Sequence, residues 1–194
     1  IIGGNNILVS VVVIRLFIIG AEIGTTILLL KLFKTYGFDQ KFTILYLLNP
    51  LVILEFSGNL HLEALMIFFV LGAVNFMKKQ NFLFFGTFFA FAISTKLIPL
   101  VFLPYILKRI RKRESVLVYL TAGAVTLFTF LPVLNSMFIN GFSSSLALYF
   151  QKFEFNASIF YIVREIGLII SGYDVIRIAG VALAFIALVL IILT

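Results

Sequence analysis

The chain has 194 residues, of which 62% are hydrophobic and 12% are charged, with a formal net charge of +7. Its mean hydropathy is +1.19. Soluble domains carry roughly 45–50% apolar and about 25% charged residues, so the composition excludes a soluble enzyme and a nucleic-acid module. Twenty-four phenylalanines are the reverse of a disordered composition. The chain has no cysteine, which excludes disulfides, thiol catalysis and cysteine-ligated metal.

In chain order, residues 7–33 form an apolar run long enough to cross about 30 Å of hydrocarbon with some tilt. Four shorter runs follow, near 42–56, 62–77, 82–94 and 97–107, and at 1.5 Å per residue they reach only about 16–24 Å. Residues 115–135 and 175–194 are again full spans. The chain starts at Ile1 without a methionine and stops at Thr194 inside an apolar run, so it is expected to be a piece of a longer protein. No signal peptide is visible.

Charge fixes the expected topology. Lys31, Lys34 and Lys41, then Lys78 and Lys79, then Lys108, Arg109, Arg111, Lys112 and Arg113 form three clusters next to apolar ends. The positive-inside rule places all three in the cytoplasm. Residues 42–77 and 82–107 then become two hairpins of short arms. Residues 136–174 become an external segment holding an amphipathic helix with a turn near Asn156. The expected fold is all-α: one polytopic transmembrane bundle over 1–194 with short helical hairpins and an external amphipathic segment.

Both hairpin tips are polar. The first carries Glu55, Ser57, Gly58, Asn59, His61 and Glu63; the second carries Lys96 and Pro99. Broken backbone at membrane depth survives only in protein or against a wet cavity, so the tips are expected to wall a polar cavity open to the outside. Glu55, Asn59 and Glu63 would stack on one face if the helix continued through them, with Ser57 and His61 on a neighbouring face. Carboxylates, an amide and an imidazole suit sugar hydroxyls or proton transfer. The alternative is a hydrated interfacial loop.

Lys96 lies between Ala92-Ile93 and Leu97-Ile98, and a charge at that depth seeks a cavity and a partner. The candidates are Glu55, Glu63 or a lipid phosphate, and the plainer alternatives are a structural ion pair or snorkelling. Arg15 and Glu22 share a face of the first span but are separated by a rise of about 10.5 Å, so each is expected to face the bundle interior and find other partners. Lys152, Glu154, Asn156 and Arg164 are secondary candidates on the external segment. No metal site is expected without a second histidine or a cysteine.

Three blocks carry a family resemblance. LNPLVILEFSGNLHLEALMIFFVL at 48–71 resembles a motif of the GPI mannosyltransferase I catalytic subunit and of bacterial polyprenyl-phosphate-mannose-dependent mannosyltransferases. STKLIPLVFLPYIL at 94–107 and RLFIIGAEIGTTILLLKL at 15–32 are similar to the following and preceding stretches. The order and approximate spacing match over roughly 15–107. This chain has Ser57 where GPI-type members tend to have arginine.

The resemblance implies a glycosyltransferase of the C superfamily. Such an enzyme moves a hexose, here mannose, from a polyprenyl-phosphate donor to a glycan or glycolipid acceptor on the external face. The implied membrane is the bacterial cytoplasmic membrane, with the endoplasmic reticulum as the alternative. By position the resemblance carries over Asn49-Pro50, Ser57-Gly58-Asn59, Glu63 and Lys96-Pro99, with Glu22 at an acidic position of the preceding span; with the tip residues Glu55 and His61 read above, the expected binding residues are Lys96, Glu55, Ser57, Asn59, His61 and Glu63. The main catalytic acid is expected upstream of Ile1. No cofactor is required, because the lipid phosphate is itself a good leaving group. The competing reading is a membrane transporter or lipid flippase, which broken helices with intramembrane charges also suit.

Overall fold

The computed structural model describes residues 6–151, 158–172 and 176–193. All regular structure among them is helical. The chain divides into two compact units, Ile1–Phe130 and Leu131–Thr194.

Helix α1 (Ile7–Tyr36) is capped by Asn6, whose side-chain oxygen accepts from the backbone N–H of Leu8 and Val9 at 3.0 and 3.3 Å. Thirty residues give about 45 Å, more than a bilayer core needs. The helix starting at Lys112 and continuing to Val133 is the other single helix, among the described residues, long and apolar enough to cross.

The arm expected at 42–56 is bent in the middle. A short helix α2 (Thr43–Leu47) stops at Leu48, and the chain turns by 61° into a second piece containing a π-helical segment (Val52–Gly58). The cause is local. Pro50 cannot continue a preceding helix but suits the first position of a new one. Asn49 caps that new start by accepting from the Leu51 N–H at 3.0 Å. Only if the two pieces count together do they make a third candidate span.

The tight antiparallel pair is also not the one expected. Helices α3 (Glu63–Lys78) and α4 (Phe82–Thr95) pack along their lengths across the turn at 79–81. Asn81 caps α4, and Gln80 takes a left-handed φ of 58° to close the turn. A Cβ on Gly72 would lie 2.4 Å from the Phe88 ring, so the absence of one admits that ring. Phe69 meets Phe91 and Phe76 meets Phe84, with centroids 5.3 and 5.2 Å apart.

Helix α1 packs on the other side of α3, where Gly24 receives Phe68. Helix α6 (Lys112–Phe130) packs on the other side of α4, where Gly86 meets Thr121. The buried set includes Ala21, Ala64, Ala73, Ala90, Ala92 and Ala122. In lipid there is little hydrophobic gain from helix association, and close contact through small residues is what holds helices together.

The expected arm at 97–107 is likewise broken. A 3-10 turn (Ile98–Phe102) follows α4, then a short helix α5 (Leu103–Arg109). Pro99 and Pro104 start these pieces, each lacking the N–H that a continuous helix requires. The segment is pinned to α6 by the Tyr119 hydroxyl, which donates to the Leu103 carbonyl, and α4 is tied to α6 where Ser94 pairs with Thr129 at 2.7 Å. The Lys78 ammonium lies 4.6 Å over the Tyr36 ring, so the basic ends of α1 and α3 lie together, at the end of the hairpin opposite Glu63.

In the second unit, α7 (Ser136–Gln151) and α8 (Ser158–Ser171) both pack on α9 (Ile176–Leu193). Helix α8 exposes Ile162, Ile166, Ile169 and Ile170 along one face. The expected turn near Asn156 lies outside the described residues.

Candidate functional site

Glu63 opens α3 and Lys96 follows the last residue of α4, nearly equidistant from the turn at 79–81. Antiparallel packing therefore brings them together. The pairing also suits the helix dipoles, with an acid at an N-terminus and a base at a C-terminus. Lys96 leaves α4 in an extended conformation (φ −156°, ψ 140°), and its Nζ donates to Glu63 Oε1 in an ion pair.

The contact extends into a chain. Glu63 Oε2 lies 3.3 Å from His61 Nδ1, and His61 Nε2 lies 3.6 Å from Glu55 Oε2. Asn59 Nδ2 donates to the same Glu55 oxygen at 3.2 Å. Five residues from both tips thus form one polar run: Lys96, Glu63, His61, Glu55, Asn59. The Lys96 side chain is 44% exposed and that of Glu63 25%. The Lys96 side chain is therefore partly exposed rather than buried, at the helix end where its ammonium meets Glu63.

The tip backbone explains the arrangement. The helix does not continue through 55–63, so Glu55, Asn59 and Glu63 are not stacked along one helical face. The π segment closes with the Asn59 N–H donating to the Leu54 carbonyl at 2.9 Å and the His61 N–H to the Glu55 carbonyl at 3.2 Å. Leu60 then adopts a left-handed φ of 58°. A non-glycine residue there costs about 1–2 kcal/mol, and such strain clusters where a ligand or switch is held. The turn keeps Glu55 and Asn59 in contact and swings Glu63 round to His61. The two carboxylates meet opposite nitrogens of the ring, and no group of three metal-ligating side chains converges among the described residues.

Ser57 points elsewhere. With Glu22, Thr26 and Val52 it lines a cleft of about 230 Å³ between α1 and the π segment. Glu22 is half-buried, and its Oε1 accepts from the Tyr46 hydroxyl at 2.9 Å. Tyr46 was not among the sequence candidates; a tyrosine hydroxyl inside an apolar arm, which needs a partner, was the available signal. Arg15 is exposed on α1 and makes no ion pair among the described residues, which corrects its expected inward orientation. Arg164 lies on the less exposed face of α8. Lys152, Glu154 and Asn156 lie outside the described residues.

An apolar groove of about 400 Å³ separates Leu16, Phe17 and Gly20 on α1 from Leu65, Phe68 and Phe69 on α3. Leu65, which lines this groove, is two residues beyond Glu63 in sequence.

The family model described as alpha-(1->6)-mannopyranosyltransferase, N-terminal domain (MptA_B family), matches residues 1–111. That stretch holds α1, both tips and the whole polar run. No curated protein matches the chain, and no solved structure matches it. With more than half its length matched, this all-α membrane chain belongs to the alpha-(1->6)-mannopyranosyltransferase family, mannosyltransferases of the glycosyltransferase C type.

Proposed function

We propose that this chain supplies the donor-binding part of an enzyme that moves mannose from a polyprenyl-phosphate carrier to a glycan or glycolipid acceptor at the external membrane face. The observation that carries the reading is the partly exposed Lys96 side chain within a run of sugar-binding groups. The acceptor oxygen attacks C1 of mannose as the bond from C1 to the phosphate oxygen breaks. Both electrons of that bond leave with the lipid phosphate. Lys96 stabilises the negative charge that develops there. Asn59 and the Glu55 carboxylate hold sugar hydroxyls, which both donate and accept.

The acceptor proton passes to a carboxylate outside the run, because donors already engage Glu55 and Glu63. The prenyl chain lies in the groove beside Leu65 and Phe68, continuous with surrounding lipid. The family supports mannosyl transfer, and the polar tip together with the apolar groove supports a lipid-linked donor.

The test is the transfer rate from lipid-linked mannose by the full-length protein in its membrane. Loss of one charge-stabilising donor typically costs about 10²–10³ in rate. Lys96→Ala is expected to lose that much, with partial retention in Lys96→Arg. Unchanged transfer by Lys96→Ala overturns the assignment.

A further inference from the structure

The charge balance of the tip has a consequence for how an anionic donor enters. The groups facing His61 are Glu55 from the π segment, Glu63 from α3 and, through Glu63, Lys96 at the end of α4. Helix α1, which packs against both neighbouring segments, carries only Arg15 and Glu22 between Ile7 and Leu30, and Glu22 is held by Tyr46. With a neutral imidazole the run bears one positive and two negative charges. A phosphodiester that approached Lys96 without any rearrangement would meet the Glu63 carboxylate on the same ammonium.

Resting on the donor assignment above, we infer that donor binding is an anion exchange on Lys96: the lipid phosphodiester takes the ammonium from Glu63, and His61 takes up one proton from solvent to hold the released carboxylate. Glu63 is already placed for the hand-over, with one oxygen on Lys96 and the other 3.3 Å from His61 Nδ1. The second imidazole nitrogen faces Glu55 at 3.6 Å, so an imidazolium formed there lies between two carboxylates. The proton taken up offsets the charge the donor brings: two cations face two carboxylates and one phosphodiester when bound, against one cation and two carboxylates at rest, so the site carries one net negative charge in both states. Histidine is the side chain able to change charge between pH 5 and 8.

The sign follows from linkage. The bound state carries more protons than the free state, so affinity rises as pH falls. Glu63 thereby becomes a selectivity element. It occupies Lys96 until a ligand brings both an anion and a chain that fits the groove.

The experiment measures binding of a short-chain isoprenyl phosphomannose diester, whose single charge does not titrate in this range, to the full-length protein in lipid nanodiscs. Calorimetry in two buffers of different ionisation heat is expected to show net proton uptake near pH 7. Affinity is expected to rise about three- to tenfold from pH 8 to pH 6. His61→Gln is expected to abolish both the uptake and the pH dependence. Glu63→Gln is expected to tighten binding at pH 8 and flatten the profile.

Wild-type binding without proton uptake overturns the inference with no variant needed. Proton uptake that survives in His61→Gln overturns the role of the imidazole. Loss of affinity in Glu63→Gln overturns the exchange. If the diester shows no Lys96-dependent binding at all, the donor assignment itself fails, which separates the two outcomes.

Discussion

Phe88 of α4 occupies the space that a Cβ on Gly72 of α3 would fill, 2.4 Å from the ring. This contact sets the closest approach of the two helices and the register of the hairpin, and that register delivers Lys96 to Glu63 at its open end. Gly72→Leu is therefore expected to separate the tips. The natural absence of cysteine makes the test direct: Glu63→Cys with Lys96→Cys should be joined by a short bifunctional thiol reagent. Adding Gly72→Leu should suppress that product, and undiminished joining would show that the register does not depend on the glycine.

Glu22 and Tyr46 tie α2 to α1 through one hydrogen bond across 24 residues. Side-chain hydrogen bonds between membrane helices average about 0.6 kcal/mol in double-mutant cycles and reach about 1.7. Tyr46→Phe and Glu22→Gln should each lower resistance to denaturant, and together they should show a coupling of about 0.5–1 kcal/mol. Additive losses would mean that the bond is not maintained in the membrane.

Asn49-Pro50 has a local structural role. The asparagine caps the helical piece that carries the tip, and the proline begins it. Asn49→Ala should cost about 1 kcal/mol of stability, and Asn49→Asp should retain most of it. If Asn49→Ala instead left stability intact while raising KM for the donor, the residue would belong to the binding surface.

Lys78 and Lys79 lie at the end of the α3–α4 hairpin opposite the polar tip, and the positive-inside rule predicts that the two ends face opposite sides of the membrane. With single cysteines, Asn59→Cys should react with an impermeant maleimide on intact cells. Lys79→Cys should react only after permeabilisation. Reversed accessibility would contradict the sidedness read from the charges.

Much of this was legible before any coordinates. Apolar run lengths gave α1 and α6, because a span leaves a composition signal that tertiary packing does not override. The pairing of Lys96 with Glu63 was one of the alternatives for that lysine, since a charge at that depth needs a partner. The partnering of helices was not legible. Which short helix lies against which is decided by Gly24, Gly72 and Gly86 admitting Phe68, Phe88 and Thr121, and a glycine in an apolar run does not announce its ring. A break at 55–63 was legible from the short arms, but spacing alone cannot foresee a π segment or a left-handed Leu60. Tyr46 was passed over because it sits among leucines with no polar neighbour in sequence.

The central claim is that the lipid-linked donor sits on the Lys96 ammonium. Amine acylation of the full-length protein in its membrane, read by peptide mass spectrometry with and without isoprenyl phosphomannose, tests it most directly. Lys96 is expected to react when the donor is absent and to be protected at saturating donor, while Lys78 and Lys79 at the opposite end of the hairpin stay equally reactive. Equal labelling of Lys96 with and without donor, while mannose transfer proceeds, would contradict the account.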